Sequence, residues 1–285
     1  MLCLSLCHSV FTKDIHNSNN KRILYQASSP DELSLVSAAR YFGFKFTRRE
    51  IGNKIILSIN NKSSEYIVTH ILEFTCERKR MSVVVKCPEG KIYLFCKGAD
   101  SMIRQLITGN SSLLGRTEEI VTEFANSGLR TLMIAYKELT IKEYEDFDKN
   151  YQTERNKDNK DLNHVYDSIE NSLILLGSTG IEDQLQDEVA ETIYSFIDIG
   201  IKVWVLTGDK IGTAMSIAHS CNLLKKDSEI LEIKEPINEK ELDNSLNNYI
   251  DIVTKKREKK NYGLVICSNE LAFIISNKRL SHLVN

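Results

Sequence analysis

Residues 173–224 read LILLGSTGIEDQLQDEVAETIYSFIDIGIKVWVLTGDKIGTAMSIAHSCNLL, and this stretch sets the expected fold class. Its centre is a near-continuous apolar run from Ile201 to Leu206, which enters the turn Thr207-Gly208-Asp209 and continues as a helical pattern. An apolar run that enters a glycine turn and leaves as a helix predicts a buried parallel strand in an α/β unit. Ligands bind at the carboxyl ends of the strands in such sheets, so we expect this turn to face a ligand.

The helix before this strand also has a predicted beginning and end. Asp183 and Gln186 have the spacing of a capping box, and apolar residues from Leu185 to Ile197 follow at helical period until Gly200. Glycine commonly follows the last turn of a helix because it adopts a left-handed backbone without strain. The pattern therefore predicts a helix whose apolar face covers one side of a sheet.

The turn after the predicted strand has two interpretations. The hydroxyl of Thr207, the amide of Gly208 and the carboxylate of Asp209 could hold a phosphoryl group, since the amino end of the next helix adds partial positive charge. Alternatively, the turn is an ordinary connection in which Asp209 caps that helix. Spacing alone leaves both open, because a three-residue motif is a weak signal.

Size and composition exclude several classes of protein. The 285 residues are 42% hydrophobic and 27% charged, which allows two domains with cores of their own. The net charge of -2 and the pI near 6.3 do not indicate nucleic-acid binding through bulk electrostatics. The seven cysteines include no C-x-x-C pair, so reduced, cytosolic thiols are expected. The longest apolar stretch, at residues 1–11, is too short to span a bilayer.

A second helix is predicted between Leu24 and Phe46. Ser29 is a suitable N-cap, Pro30 suits the first helical position, and Glu32 has the spacing of a capping box with Ser29. The simpler interpretation is that Glu32 serves this cap. The functional interpretation is that its carboxylate faces a ligand slot at the start of the helix.

Residues 54–98 predict an antiparallel meander. Runs rich in β-branched and aromatic residues alternate with turn residues, including Pro88-Glu89-Gly90. Lys97 ends the last run, directly before Gly98. A lysine at the mouth of a sheet can bind an anion, although solvated edge charge is the commoner role.

Two further residues have both a structural and a functional interpretation. Phe74 is expected to pack in the core, as most strand phenylalanines do, or to form a plate under a purine. Arg130 follows a predicted helix and opens a strand, where its guanidinium either forms a surface ion pair or grips phosphate oxygens. The basic run Arg78-Lys79-Arg80 is too short to indicate nucleic acid.

The rest of the chain predicts elements without evident chemistry. Helices are expected near Met1–Val10, from Asp100, over residues 117–126 and within residues 140–170. A charged region spans about 225–260 and contains an amphipathic helix between Leu242 and Val253. Two short strands are predicted at residues 264–266 and 271–275.

Taken together, separated motifs along the chain resemble a known family. They are LCHSV (6–10), YQASSPDE (25–32), RKRMSVVV (78–85), FCKGAD (95–100), GLRTL (128–132), GIEDQLQDEV (180–189) and IKVWVLTGDK (201–210). In this order they resemble the cytosolic catalytic region of type-4 P-type ATPases, the phospholipid flippases. The resemblance implies an α+β nucleotide-binding domain, an antiparallel sheet flanked by helices, over residues 1–172. Part of an α/β phosphorylation domain of haloacid-dehalogenase (Rossmannoid) type would follow over residues 173–285.

The resemblance also implies a site for ATP. By this likeness Glu32 would face the adenine edge, Phe74 would stack on the ring and Lys97 would line the pocket. Arg130 would reach the phosphates, and Thr207, Gly208 and Asp209 would belong to the phosphorylation site. Mg²⁺ would be held mainly by residues outside this segment.

Two expected motifs are missing from the sequence. It has no D-K-T-G-T segment, whose aspartate accepts phosphate, and no later G-D-G-x-N-D segment. Without the acceptor there is no aspartyl-phosphate intermediate, so we expect this chain to contain no catalytic residue and to bind ATP without hydrolysing it.

The chain is accordingly expected to be a soluble segment, at the cytosolic face, of a multi-pass protein. That protein would move phospholipid, with an accessory subunit as a further partner, and would bind no nucleic acid. The alternative is a flippase-like regulatory module of a protozoan guanylate cyclase, or an inactive pseudo-ATPase.

Overall fold

The computed structural model describes residues 1–17, 20–109, 111–157, 162–208, 211–225, 227–233, 239–255 and 261–276. The chain divides into two compact units, Met1–Asp183 and Gln184–Asn285. This division falls later than the predicted one at residue 172, because the strand Ile174–Ile181 belongs to the sheet of the first unit. Within the described part of the chain, no helix combines the length and the apolarity needed to cross a membrane.

The first unit contains six helices and nine strands among its described residues. In chain order they are α1 (Leu2–Leu6), β1 (Phe11–Asn17), β2 (Asn20–Gln26), α2 (Pro30–Tyr41), β3 (Phe44–Glu50), β4 (Lys54–Ile59), β5 (Lys62–Leu72), β6 (Arg80–Lys86), β7 (Ile92–Gly98), α3 (Asp100–Leu106), α4 (Ser111–Asn126), β8 (Arg130–Leu139), α5 (Ile141–Arg155), α6 (Asn163–Ile169) and β9 (Ile174–Ile181).

The core of the first unit is one antiparallel sheet of seven strands, β3 to β9, in sequence order. The predicted meander at residues 54–98 is confirmed as β4 to β7, and the sheet continues on both sides of it. Alternation along each strand sends neighbouring side chains to opposite faces. A separate hairpin, β1 with β2, precedes α2.

Helices cover both faces of this sheet. On one face, α1 and α2 pack on strand residues such as Phe46, Val83 and Phe95. On the other face, α3 to α6 pack on strand residues that include Val84 and Met133. Because both faces are covered, β6 and β7 are almost entirely buried. The observed unit is the α+β domain, a large antiparallel sheet flanked by helices, that the motifs predicted.

The second unit is described by shorter elements. They are α7 (Val189–Asp198), α8 (Ile211–Ser220), β10 (Glu229–Ile233), α9 (Glu239–Lys255), β11 (Tyr262–Ile266) and α10 (Ser268–Ser276). β10 and β11 pair in parallel, and Leu242 and Leu246 of α9 pack with Ile233 and Ile274. The predicted amphipathic helix and the strand at 264–266 are thus confirmed. The predicted strand at 271–275 is wrong, since these residues lie in α10.

The predicted buried strand at Ile201–Leu206 is also wrong. These residues adopt no regular secondary structure, and Trp204 is 57% and Leu206 81% exposed. A strand needs hydrogen-bonding neighbours, and among the described residues β10 and β11 pair with each other and not with this run. The apolar sequence alone therefore does not produce the strand. Among the residues of the second unit that the structure describes, no phosphorylation domain of the haloacid-dehalogenase type is observed.

The helix before this run begins later than predicted. α7 begins at Val189 after Glu188, whose φ of 67° is left-handed, and residues 182–186 are not helical. The capping box of Asp183 and Gln186 is therefore wrong. The predicted end is correct, because Gly200 follows α7 with a φ of 84°.

Candidate functional site

Three elements of the seven-stranded sheet bring predicted site residues to one end. Phe74 follows β5, Lys97 lies next to the last residue of β7, and Arg130 opens β8. In an antiparallel meander, the end of one strand and the start of the next lie on the same side of the sheet. Here "edge" means this side, where the strands begin or end, and not an outermost strand. The backbone topology thus places these residues, far apart in sequence, at one edge of the sheet.

Glu32 joins this edge from the first turn of α2. Lys97 Nζ donates to Glu32 Oε1 at 2.9 Å, and the Ser9 amide donates to Glu32 Oε2 at 3.0 Å. The Ser9 hydroxyl donates to the same oxygen. The capping box with Ser29 is therefore wrong, since the side chain of Ser29 makes no cap bond and Glu32 turns to a cation and two other donors instead.

The ion pair of Glu32 and Lys97 is largely removed from water. The side chain of Lys97 is 7% exposed and that of Glu32 is 15% exposed, so Lys97 is not a solvated edge charge. Burial acts to raise the pKa of Glu32, but the Lys97 ammonium and the Ser9 and Lys97 hydrogen bonds outweigh it and hold this pKa below its ordinary value. Glu32 is consequently a carboxylate, and an acceptor, at neutral pH.

Arg130 is connected to the same turn of α2. Its Nη1 lies 3.3 Å from Asp31 Oδ1, and its Nη2 lies 3.2 Å from Asp183 Oδ2. The side chain of Arg130 is 35% exposed, so solvent reaches the guanidinium. Because Asp31 and Glu32 are adjacent, Arg130 and Lys97 bind neighbouring carboxylates at the start of one helix.

Phe74 lies in the loop between β5 and β6 and is 60% exposed. The expectation that it packs in the core is therefore wrong. Its loop ends beside the Lys97 segment, since the Ala99 amide donates to the carbonyl of Lys79 at 3.0 Å. An exposed aromatic ring at this edge is available for stacking on a planar ligand.

Gly98 allows this close approach of the loop and β7. A Cβ built on Gly98 would lie 2.5 Å from Arg80 Cβ and 2.6 Å from the Lys79 carbonyl oxygen. Real Cβ atoms essentially never come so close to other heavy atoms. The glycine after Lys97 is therefore required by packing, rather than by flexibility.

His8 supports the segment that supplies Ser9. The amide of Val10 donates to His8 Nδ1 at 3.1 Å, so the other nitrogen, Nε2, carries the proton and donates to the Ser5 carbonyl at 2.9 Å. Burial, together with the nearby Arg49, lowers the pKa of His8 from 6.5 to about 3. His8 is thus a neutral, structural histidine next to the site.

We expect acid to destabilise the first unit below pH 6.5. The unfolded chain binds a proton at His8 there while the folded chain does not, so the stability falls as the pH falls from 6.5 toward about 3. Burial lowers the pKa of His70 as well, so His70 also reduces the stability of the folded chain as the pH falls. Urea unfolding between pH 7 and 5 measures the slope, and His8→Gln should make it shallower. The exposed His164, changed to Gln, is the control, and an equal effect of both changes would contradict the assignment.

The remaining predicted residues belong to the second unit. Thr207 and Gly208 are exposed, and Asp209 lies outside the described residues. Their part in a phosphorylation site therefore stays a prediction. In the ranges that the structure describes, no group of three or more His, Cys, Asp or Glu side chains could hold a metal ion.

Sequence reasoning did not identify several residues of the site. Ser9, Asp31 and Asp183 contact Glu32 or Arg130 directly. Ser9 lies in the motif LCHSV, but nothing in its spacing connects it to a glutamate 23 residues later. Only the fold brings them together.

Comparison with known proteins identifies the family. A model of the family described as P-type ATPase, cytoplasmic domain N, matches residues 1–188. The chain is 43% identical over 231 residues to phospholipid-transporting ATPase IC of Xenopus tropicalis, covering 80% of this chain and 18% of the relative. It is 39% identical over 287 residues to phospholipid-transporting ATPase DNF1 of Saccharomyces cerevisiae, covering 95% of this chain and 18% of the relative. For phospholipid-transporting ATPase FetA of Mus musculus, the identity is 44% over 229 residues, covering 79% of this chain and 19% of the relative.

The chain spans less than one fifth of the length of these relatives. Their names give no support to the alternative of a cyclase-linked regulatory module. The family match covers well over half of the chain and includes Glu32, Phe74, Lys97 and Arg130. The chain therefore belongs to the P-type ATPase family and contains its cytoplasmic domain N, as its motifs predicted, with similarity to the phospholipid-transporting members.

Proposed function

We propose that the first unit binds ATP at the edge of the sheet formed by Glu32, Phe74, Lys97 and Arg130. The observation that carries this proposal is the buried pair of Glu32 and Lys97 beside an accessible Arg130, at the same edge as an exposed aromatic ring. An adenine nucleotide needs an aromatic face for its base, polar groups for the edge of the base, and a cation for its phosphates. This edge supplies all three.

Each residue has a distinct role in this proposal. The ring of Phe74 stacks on adenine, while the Glu32 carboxylate accepts from its amino group and the Lys97 ammonium donates to a ring nitrogen. Arg130, which solvent reaches, exchanges a carboxylate partner for a phosphate oxygen, a geometry that suits the planar guanidinium. We expect a Kd for ATP in the micromolar to millimolar range, which corresponds to a binding free energy of about 4 to 8 kcal/mol in magnitude.

For the full-length protein, we propose ATP-driven transport of phospholipid across a membrane, as the names of the relatives suggest. The second unit would contribute Thr207, Gly208 and Asp209 to a phosphorylation domain of the haloacid-dehalogenase type. The aspartate that accepts phosphate would lie outside this sequence, so this chain would bind ATP without hydrolysing it. Mg²⁺ would arrive with the nucleotide, both units would face the cytosol, and an accessory subunit would be a further partner.

Replacing Phe74 with alanine tests the proposed site. Stacking of a base on an aromatic ring contributes about 1 to 3 kcal/mol, so Phe74→Ala should weaken ATP binding by about tenfold or more. Titration calorimetry with ATP measures the change. Because the ring is exposed, the melting temperature without nucleotide should stay the same.

Phe42→Ala is the matched control. Phe42 is 59% exposed and follows the opposite end of α2 from Glu32, so its removal should leave ATP affinity unchanged. Equal ATP affinities of the parent, Phe74→Ala and Phe42→Ala would remove Phe74 from the site.

A further inference from the structure

The loop that carries Phe74 is anchored by buried charges. Glu170 is fully buried at the end of α6 and accepts hydrogen bonds from Arg78 at 2.5 Å and from Arg80 Nε at 2.7 Å. The hydroxyl of Ser82 also donates to Glu170. We call these four residues the Glu170 clamp. Both arginines in it are buried, at 4% and 5% exposure.

Arg78 donates hydrogen bonds to the residues on both sides of Phe74. Its Nη1 donates to the carbonyl of Glu73 at 2.6 Å, and its amide donates to Thr75 Oγ1 at 3.1 Å. The amide of Lys79 closes the loop by donating to the carbonyl of Thr75 at 2.8 Å. The Arg78 guanidinium therefore fixes the residue directly before Phe74, and the backbone amides of Arg78 and Lys79 fix Thr75 directly after it.

The clamp lies on the face of the sheet opposite to the pair of Glu32 and Lys97. Lys97 is paired directly with Met81, and strand alternation then sends Arg80 and Ser82 to the other face, which α6 covers. Glu170 cannot therefore be a ligand of a nucleotide held by Lys97. Any effect of Glu170 on that nucleotide must pass through the loop.

Helix α6 supplies further contacts to the same arginines. Asp167 Oδ1 accepts from Arg80 Nη2 at 2.7 Å, and the Tyr166 ring lies 4.7 Å from the Arg78 guanidinium carbon. Phe74 itself is mostly exposed, so packing of its own ring does not fix its position. Its place at the edge of the sheet follows from the backbone that the clamp holds.

We propose that Glu170, acting through Arg78, is a positioning residue that sets the place of the Phe74 ring and thereby the affinity for an adenine nucleotide. The proposal rests on the proposed ATP site and extends it to residues that do not touch the ligand. Two buried arginines that share the Glu170 carboxylate suit a positioning role, because each guanidinium is bound in a single geometry. Loss of one partner leaves a buried charge unpaired, which lowers stability.

A double-mutant cycle tests whether the clamp acts through Phe74. Arg78→Met removes the donor to Glu73 while leaving Glu170 paired with Arg80, and Glu170→Gln weakens the whole clamp. Measured by calorimetry, ATP binding should be about fivefold weaker in Arg78→Met than in the parent. An effect of this size lies in the usual range for the coupling between two residues that are connected by contacts. In the Phe74→Ala background, Arg78→Met should cause no further loss.

Inorganic tripolyphosphate separates positioning of the base from general damage. It has no base to stack on Phe74, so its affinity should be the same for Arg78→Met and the parent. Glu154→Gln is the matched control. Glu154 is also a buried carboxylate, near the end of α5, and its partners are Lys157 and, in α6, His164. This change should leave ATP affinity unaltered even where it lowers the melting temperature.

The possible outcomes are distinct. The inference is overturned if Arg78→Met weakens ATP binding equally with and without the Phe74 ring, or weakens tripolyphosphate binding as much as ATP binding. It is also overturned if Arg78→Met has no effect on ATP while Phe74→Ala does, which leaves the proposed site intact. If Phe74→Ala itself has no effect, the role of Phe74 in the proposed function fails together with the inference. Should Glu170→Gln not fold, the Arg78→Met cycle decides alone.

Discussion

Lys97→Met is expected to weaken ATP binding by about 30-fold. A hydrogen bond to a charged group contributes about 1.5 to 3 kcal/mol, and this change removes such a donor from a largely water-excluded position. It also leaves Glu32 without its cation, so the carboxylate that accepts from adenine becomes easier to protonate. Calorimetry of ATP binding at pH 7 measures the loss.

The same change should reduce stability. Removing one member of a buried ion pair commonly costs about 3 to 5 kcal/mol. Because Ser9 still donates to Glu32, we expect the lower end of that range. Urea unfolding of the chain without nucleotide measures this cost.

Lys91→Met is the control for Lys97→Met. Lys91 directly precedes β7 and pairs with Glu138 at 3.0 Å, but both side chains are about half exposed. Solvent screens such a pair, so we expect no measurable change in stability or in ATP affinity. Lys97→Met with the ATP affinity of the parent would exclude Lys97 from the site.

Gly98→Ala is expected to lower the free energy of unfolding by about 3 kcal/mol. The added methyl would overlap the backbone of Lys79 and Arg80, at the start of the central strand β6, and backbone cannot rotate away as a flexible side chain would. Overpacking commonly costs about 1 to 3 kcal/mol, and contact with backbone places this change at the upper end. Urea unfolding measures the loss.

Gly98→Ala should also affect ligand binding. Arg80 belongs to the Glu170 clamp, and the Lys79 carbonyl connects the Phe74 loop to Ala99. Displacement of either shifts the loop, so the ATP affinity should fall even at temperatures where the variant is folded.

Gly115→Ala is a control that should change the free energy of unfolding in the opposite direction. Gly115 lies within α4, and a Cβ added there meets no atom within 4 Å. Alanine is favoured over glycine inside a helix by about 0.5 to 1 kcal/mol, so this change should stabilise the chain slightly. If Gly98→Ala were as stable as the parent, the close approach at β6 and β7 would not be a real constraint.

Local patterns predicted several strands and helices of both units, because these elements have local sequence signals. The meander at residues 54–98 shows β-branched alternation and turn residues, and α9 shows apolar residues at helical spacing. The run from Ile201 to Leu206 shows where this approach fails. Its composition favours a buried strand, but a strand also requires partners, and composition does not specify them.

The candidate site was predicted less completely than the fold. Each residue had a simpler interpretation: Glu32 as a helix cap, Lys97 as an edge charge and Phe74 as a core residue. The structure contradicts all three simpler interpretations, since Glu32 binds Lys97, Lys97 is buried and Phe74 is exposed. The family motifs indicated these residues, whereas their spacing did not.

The amino-acid sequence by itself determined the strands of the meander, most of the helices, and the family to which the chain belongs. The tertiary structure alone decided which way Glu32 turns, that Lys97 is buried, and that Glu170 holds the loop before β6. The reason is distance along the chain. Glu32 and Lys97 are 65 residues apart and Arg78 and Glu170 are 92 residues apart, and such contacts exist only after the sheet has brought its strand ends together.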